Sequence, residues 1–246
     1  MPIWLLVLIY ALLTAVATGL GALPFLFARK FPKVVLGLAN AVAGGLMMGA
    51  SFGLIYEGLD NGDATWRTLG GVLAGLVFIV VTRRFIHTHD QLQFAGLNHI
   101  DARRALLLVG VMTLHSAAEG VGVGVAFGEG IAFGVLVTIA IAIHNIPEGL
   151  AISLVMVPRG ASVFQAALWS VFSSLPQPIM AVPAYLFVDH FGAFLPVGLG
   201  FAAGAMIWMV FYEMIPEALS EASPNAVAIA ATISLVTMQA VQLAIG

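Results

Sequence analysis

Apolar residues run along this chain in eight long stretches, at roughly 3–28, 34–57, 68–86, 104–127, 131–157, 162–188, 191–215 and 225–245. Each is near the ~20 residues that an α-helix needs to cross a bilayer. Turn residues and charges separate them, and the pattern predicts a polytopic, all-α membrane protein of eight transmembrane helices. The length suits one transmembrane domain over residues 1–246, with no room for a second soluble domain. The first stretch starts at Ile3 without a basic n-region and is longer than a signal-peptide core, so it reads as a retained helix.

Composition strengthens that picture. The chain is 61% hydrophobic and only 9% charged, where a soluble domain is nearer a quarter charged. There are no cysteines, which excludes disulfides, thiolate metal sites and thiol redox chemistry. The formal charge of -3 gives no reason to expect a nucleic-acid partner.

Basic residues set an orientation. Arg29, Lys30 and Lys33 lie between stretches 1 and 2, Arg83, Arg84, Arg103 and Arg104 between 3 and 4, and Arg159 between 5 and 6. These are alternate loops on one side, and only Arg67 lies opposite. By the positive-inside rule that side is cytoplasmic, so both termini are extracytoplasmic. Glu217 and Glu221 fall in an inner loop, but acidic residues count little in the rule. The outer loops carry Glu57, Asp60, Asp63, Glu129 and Asp189, a negative mouth that concentrates cations unless these are ordinary solvated charges.

Small residues recur every fourth position at Gly45/Gly49/Gly53, Gly71/Gly75, Gly120/Gly124/Gly128 and Gly200/Gly204. Close helix packing explains them better than a direct functional role. His87, His89 and His99 sit in the longest inner loop, where a solvated loop is the simpler reading than a weak metal site.

The chemistry lies in two polar pairs inside apolar runs. His115 and Glu119 are spaced i, i+4, and so are His144 and Glu148. On a helix each pair shares one face. Charged groups at membrane depth are costly and mark function. Stretches 4 and 5 are joined by the short turn Gly128-Glu129-Gly130, so they are antiparallel neighbours. The two histidines then lie level, on the order of 20 Å from that turn and near mid-membrane. A His–Glu hydrogen bond that merely braces the bundle explains one such pair. Two pairs level across a hairpin point instead to four metal ligands. Pro147 is expected to kink stretch 5 beside them. Further polar groups continue the line: Gln177 between Pro176 and Pro178, and the pair Glu213 and Glu217 near the inner end. Glu57 at the outer end and Glu213 and Glu217 at the inner end outline an entrance and an exit.

These residues resemble the ZIP family of divalent metal transporters. The likeness rests on His115-x-x-x-Glu119-Gly120, on His144-Asn145-Ile146-Pro147-Glu148-Gly149, and on Gly204-Ala205-Met206-Ile207 with Glu213-Met214-Ile215-Pro216-Glu217. Ala50-Ser51-Phe52 looks like the bacterial GufA-like branch. The resemblance is specific from about 105 to 220 and weak in stretches 1, 3 and 8. It implies a 3+2+3 bundle in which stretches 1–3 and 6–8 are inverted repeats around 4 and 5. It implies uptake of zinc, and often iron, manganese or cadmium, into the cytoplasm across the cell membrane, bacterial inner membrane included. It implies a primary metal site of His115, Glu119, His144 and Glu148, with Ser116, Asn145 and Gln177 matching an adjacent second site.

The sequence departs from the family pattern at Ala118, often proline, and at Tyr212, often histidine. The second-site positions are Ser, Asn and Gln where Asn, Asp and Glu are common. Replacing two carboxylates by amides removes charge that offsets repulsion between two dications, which predicts one tightly held metal. A His2Glu2 set without thiolate suits Zn2+ and admits Fe2+, Mn2+, Co2+ and Cd2+. The expected partners are divalent metal ions and the lipid bilayer, with a homodimer compatible and no prosthetic group. Binding requires deprotonated ligands, so transport is expected to slow in acid. A rival from another class is an intramembrane metal-dependent hydrolase with the same ligands around a catalytic water. No separate general base or nucleophile is evident for it.

Overall fold

The computed structural model describes residues 1–28, 31–60, 65–88 and 100–245, without the side chains at 83, 85–88, 100–112, 114–115, 159 and 245. The inner-loop residues His89 and His99, the loop residues Arg29, Lys30 and Asp63, and the side chains of His87 and His115 lie outside the described residues.

Ten α-helices are described: α1 (Ile3–Leu20), α2 (Lys33–Asp60), α3 (Thr65–Thr88), α4 (Ile100–Glu129), α5 (Ile131–Met156), α6 (Val163–Ser174), α7 (Pro176–His190), α8 (Leu195–Met209), α9 (Ile215–Glu221) and α10 (Pro224–Ile245). No strand occurs among the described residues. Seven segments among them are long and apolar enough to cross a membrane, and α4 covers the remaining apolar stretch of the sequence.

Two predicted single helices are each divided, for reasons written in their prolines. Stretch 6 breaks at Leu175, between α6 and α7. Pro176 has no N–H to continue the ladder, and it opens α7 at the first-turn position where proline fits. Stretch 7 passes from α8 through a π-turn at Val210–Met214 into α9. Pro216 cannot bond back to the carbonyl of Tyr212 and its ring crowds that carbonyl, and the widened turn just before it absorbs the misfit. By contrast α5 runs unbroken through Pro147.

The packing pairs have an internal order. The main partners are α3 with α8, α10 with α2, α4 with α7, α1 with α5, α2 with α5 and α4 with α8; α4 with α5, α2 with α8 and α1 with α7 complete the set. Exchange α1 with α6–α7, α2 with α8–α9, α3 with α10, and α4 with α5. Every pair then maps onto another pair of the set or onto itself. That is the contact pattern of a three-helix unit repeated around a central hairpin, the 3+2+3 arrangement.

Small residues carry the close contacts. Gly45 and Gly49 of α2 lie against α10, and Gly71 and Gly75 of α3 face α8. Between membrane helices there is little hydrophobic drive, so close van der Waals approach supplies the attraction. The glycine stripes are packing devices, as the sequence suggests. Outward, Leu13, Val16, Phe172, Ile179 and Val236 are exposed. Inward, the core holds Met47, Leu54, Ile141, Leu199 and Met206, with a group of buried polar side chains among them.

Candidate metal centre

α4 and α5 form an antiparallel hairpin closed by Gly130 alone. The hairpin brings Glu119 of α4 beside His144 and Glu148 of α5. One ligand atom from each lies within 4.8 Å of the others. Bonds of about 2.1 Å to a tetrahedral ion hold its donors about 3.4 Å apart. Small side-chain adjustments therefore bring these three onto one ion.

All three are buried: Glu119 is 0%, His144 1% and Glu148 6% exposed. His144 Nε2 contacts Glu119 Oε1 directly. Two carboxylates removed from water are expensive unless paired. A neutral histidine, two carboxylates and one dication sum to zero charge, whereas a second dication leaves an excess of two.

The backbone allows this assembly at two glycines. A Cβ on Gly120 would overlap the backbone of Gln177, and one on Gly149 would overlap the carbonyl of Thr18. So α7 and α1 approach the hairpin closely at the residue that follows each glutamate.

Of the expected second-site residues, Ser116, Asn145 and Gln177 are all buried beside the first group. Among the described residues, the Ser116 hydroxyl and the Asn145 carbonyl oxygen Oδ1 have no hydrogen-bond partner. Gln177 differs. Its Nε2 donates to Glu119 Oε2, and its Oε1 accepts from the Thr14 hydroxyl at 2.5 Å and from Asn145 Nδ2 at 3.3 Å. Asn145 Nδ2 also donates to the Thr14 backbone carbonyl at 2.9 Å. A turn further on, the hydroxyls of Thr18 and Ser174 share a bond of 2.8 Å.

Thr14 and Thr18 were invisible to sequence reasoning. A threonine in an apolar helix is ordinary, and their partners lie more than 150 positions away, at Gln177 and Ser174.

The expected entrance and exit residues stand apart from this group. Glu57, near the C-terminal end of α2, has Glu129 and Asp60 as charged neighbours. Glu217 on α9 has Glu213 and Glu221. Lys33, at the N-terminal end of α2, pairs with Glu221 at 3.6 Å. Glu57 and Lys33 are 24 residues apart on α2, so about 36 Å at 1.5 Å per residue separates the two acidic groups. Tyr212 stacks on Trp208 with ring centroids 4.4 Å apart.

Residues 83–241 match the model of the ZIP zinc transporter family. The chain belongs to that family. The match runs from the end of α3 into α10 and contains Glu119, His144, Glu148, Ser116, Asn145 and Gln177, whereas Thr14 and Thr18 of α1 lie outside it. A putative zinc transporter of Arabidopsis thaliana is 48% identical over 95% of this chain, which spans 38% of that protein. Zinc transporter GufA of Myxococcus xanthus is 36% identical over 85% of the chain and 87% of its own length. Zinc transporter ZIPB of Bordetella bronchiseptica is 31% identical, with 82% and 69% covered. The GufA likeness agrees with the branch that Ala50-Ser51-Phe52 suggests. ZIP proteins are membrane metal transporters and not enzymes, so the hydrolase alternative finds no support.

Proposed function

We propose that this ZIP protein moves divalent metal, Zn2+ foremost, across the cell membrane into the cytoplasm. The observation that carries the reading is the buried group Glu119, His144 and Glu148, with ligand atoms within 4.8 Å of one another between α4 and α5. His115, one turn from Glu119 on the same helix, is the fourth ligand of the proposed site. A carboxylate- and imidazole-lined site without thiolate also admits Fe2+, Mn2+, Co2+ and Cd2+.

The acidic groups around Glu57 and around Glu213 and Glu217 lie toward opposite ends of α2, which supports their assignment as entrance and exit. The distribution of basic residues supports the Glu57 end as outer and both termini as extracytoplasmic. The exposed apolar belt supports a lipid bilayer as the surrounding partner.

Metal flux into proteoliposomes tests the reading. The His144→Ala/Glu148→Ala protein, inserted and folded, is expected to carry almost no Zn2+. Wild-type flux through that double variant overturns the site.

A further inference from the structure

The polar groups around Glu119 have directions that chemistry fixes. The Thr14 backbone carbonyl can only accept a hydrogen bond, so the Asn145 atom at 2.9 Å must be its Nδ2. That nitrogen can only donate, so the Gln177 atom it also faces must be Oε1. The Thr14 hydroxyl has one proton and two acceptors in reach, this oxygen at 2.5 Å and the Ala11 carbonyl at 2.7 Å; two oxygens at 2.5 Å need a proton between them, so the hydroxyl donates to Gln177 Oε1. With Oε1 held on that side, Gln177 must turn Nε2 toward Glu119, whose carboxylate accepts it. Thr14, Asn145 and Gln177 are all fully buried, so water does not scramble the chain.

We infer that Gln177 is a positioning residue: it orients Glu119 as a hydrogen-bond donor, and Thr14 and Asn145 set the direction of its amide. Gln177 is then not an oxygen ligand of a second ion. Its nitrogen holds Oε2 of Glu119 and leaves Oε1, the oxygen already facing His144, for the metal. Ser116 and Asn145 still offer neutral oxygens, but two neutral oxygens without a third ligand hold a dication weakly beside the first. This inference rests on the proposed Glu119–His144–Glu148 site and adds α1, through Thr14, to the parts that tune it.

Partners that orient a metal ligand typically change affinity by 10–100-fold when removed. Zn2+ titration calorimetry and metal analysis of the purified full chain test the inference. Gln177→Met keeps the volume and removes the donor, and Zn2+ affinity is expected to fall about 10–100-fold. Thr14→Val is expected to cost less, about 3–10-fold, because Asn145 still holds the amide; Thr14→Ser keeps the hydroxyl and is expected to stay within about twofold of wild type. Co2+ provides a second readout, since its visible bands shift when Glu119 changes its angle at the ion. The melting temperature of each metal-free protein separates positioning from structure. A raised Kd rescued by serine supports the inference, whereas a lowered melting temperature with an unchanged Kd overturns it. Two equally tight ions in the unmodified chain also overturn it. Either Gln177→Met or Thr14→Val decides alone where the other does not fold. Glu119→Ala and Glu148→Ala serve as the reference: unchanged Zn2+ binding there refutes the site itself, while loss there with no effect at Gln177 and Thr14 refutes only the inference.

Discussion

Glu119 and Glu148 occupy equivalent places in the two halves of the bundle and are held differently. Exchanging the halves carries α4 onto α5 and the Glu119-Gly120 step onto Glu148-Gly149. At each step a glycine admits a neighbouring backbone, that of Gln177 in one case and Thr18 in the other. The side chains at these two contacts diverge. Gln177 reaches into the site and donates to Glu119, whereas the Thr18 hydroxyl bonds Ser174 on α6. The repeat thus keeps the backbone approach, which packing demands, and leaves the polar chemistry free to differ. One site acquires two unlike carboxylates from two like helices. Glu119 is sealed and oriented from α7, while Glu148 keeps a small exposed surface.

The largest effects are expected from the carboxylates themselves. Glu119→Gln and Glu148→Gln each remove the charge of a proposed ligand with little change of shape. Each is expected to lower Zn2+ flux into proteoliposomes by more than about 100-fold, beyond the usual cost of losing an orienting neighbour. Normal flux in one variant would show that the asymmetry extends to ligation, with only the other glutamate on the ion.

The glycines come next. Gly120→Ala and Gly149→Ala each force a methyl group into a backbone. Each is expected to destabilise the bundle by about 1–3 kcal/mol, the usual cost of overpacking, read as a lower melting temperature in detergent. Their effects on Zn2+ affinity should separate. Gly120→Ala displaces Gln177 from Glu119 and is expected to raise Kd, while Gly149→Ala moves α1 at Thr18 and should raise it less. Equal shifts in Kd would mean that the Gln177 contact contributes nothing special.

Much of this arrangement was legible in the chain. His144 and Glu148 announce themselves because polar pairs at helical spacing inside an apolar run have few reasons to exist. The Gly128-Glu129-Gly130 turn sets the hairpin, and the hairpin brings Glu119 across to them. Glycine periodicity marks the faces of α2 and α3 that pack closely, while their partners, α10 and α8, come only from the fold. Three features escaped. The π-turn at Val210–Met214 is a local answer to Pro216 that apolar periodicity does not encode. Pro176 reads as a residue within a span, and only the fold shows that it divides α6 from α7. The role of Thr14 depends on a contact with Gln177 across the bundle. Its hydroxyl gives no signal in an apolar helix, because threonine there usually bonds its own backbone, and the Ala11 carbonyl lies within reach of Thr14 at 2.7 Å as the competing acceptor.

The last prediction alters no rate and decides which carboxylate an incoming ion meets first. Glu119 is ten residues from the α4–α5 turn, on the side of the Glu57 group; Glu148 lies seventeen residues into α5, farther from it. If the basic loops are cytoplasmic, the oriented carboxylate faces arrival and the partly exposed one faces release. The chain has no cysteine, so single introduced thiols report cleanly. Gly192, between α7 and α8, has nothing within 4 Å of an added Cβ. Ser223, between α9 and α10, is exposed at the opposite end, beside the Lys33–Glu221 pair. An impermeant thiol reagent on intact cells is expected to label Gly192→Cys and to spare Ser223→Cys until the cells are opened. The reverse pattern would invert the path: Glu148 would receive the ion, Glu119 would release it, and the amide of Gln177 would stand at the exit side of the site.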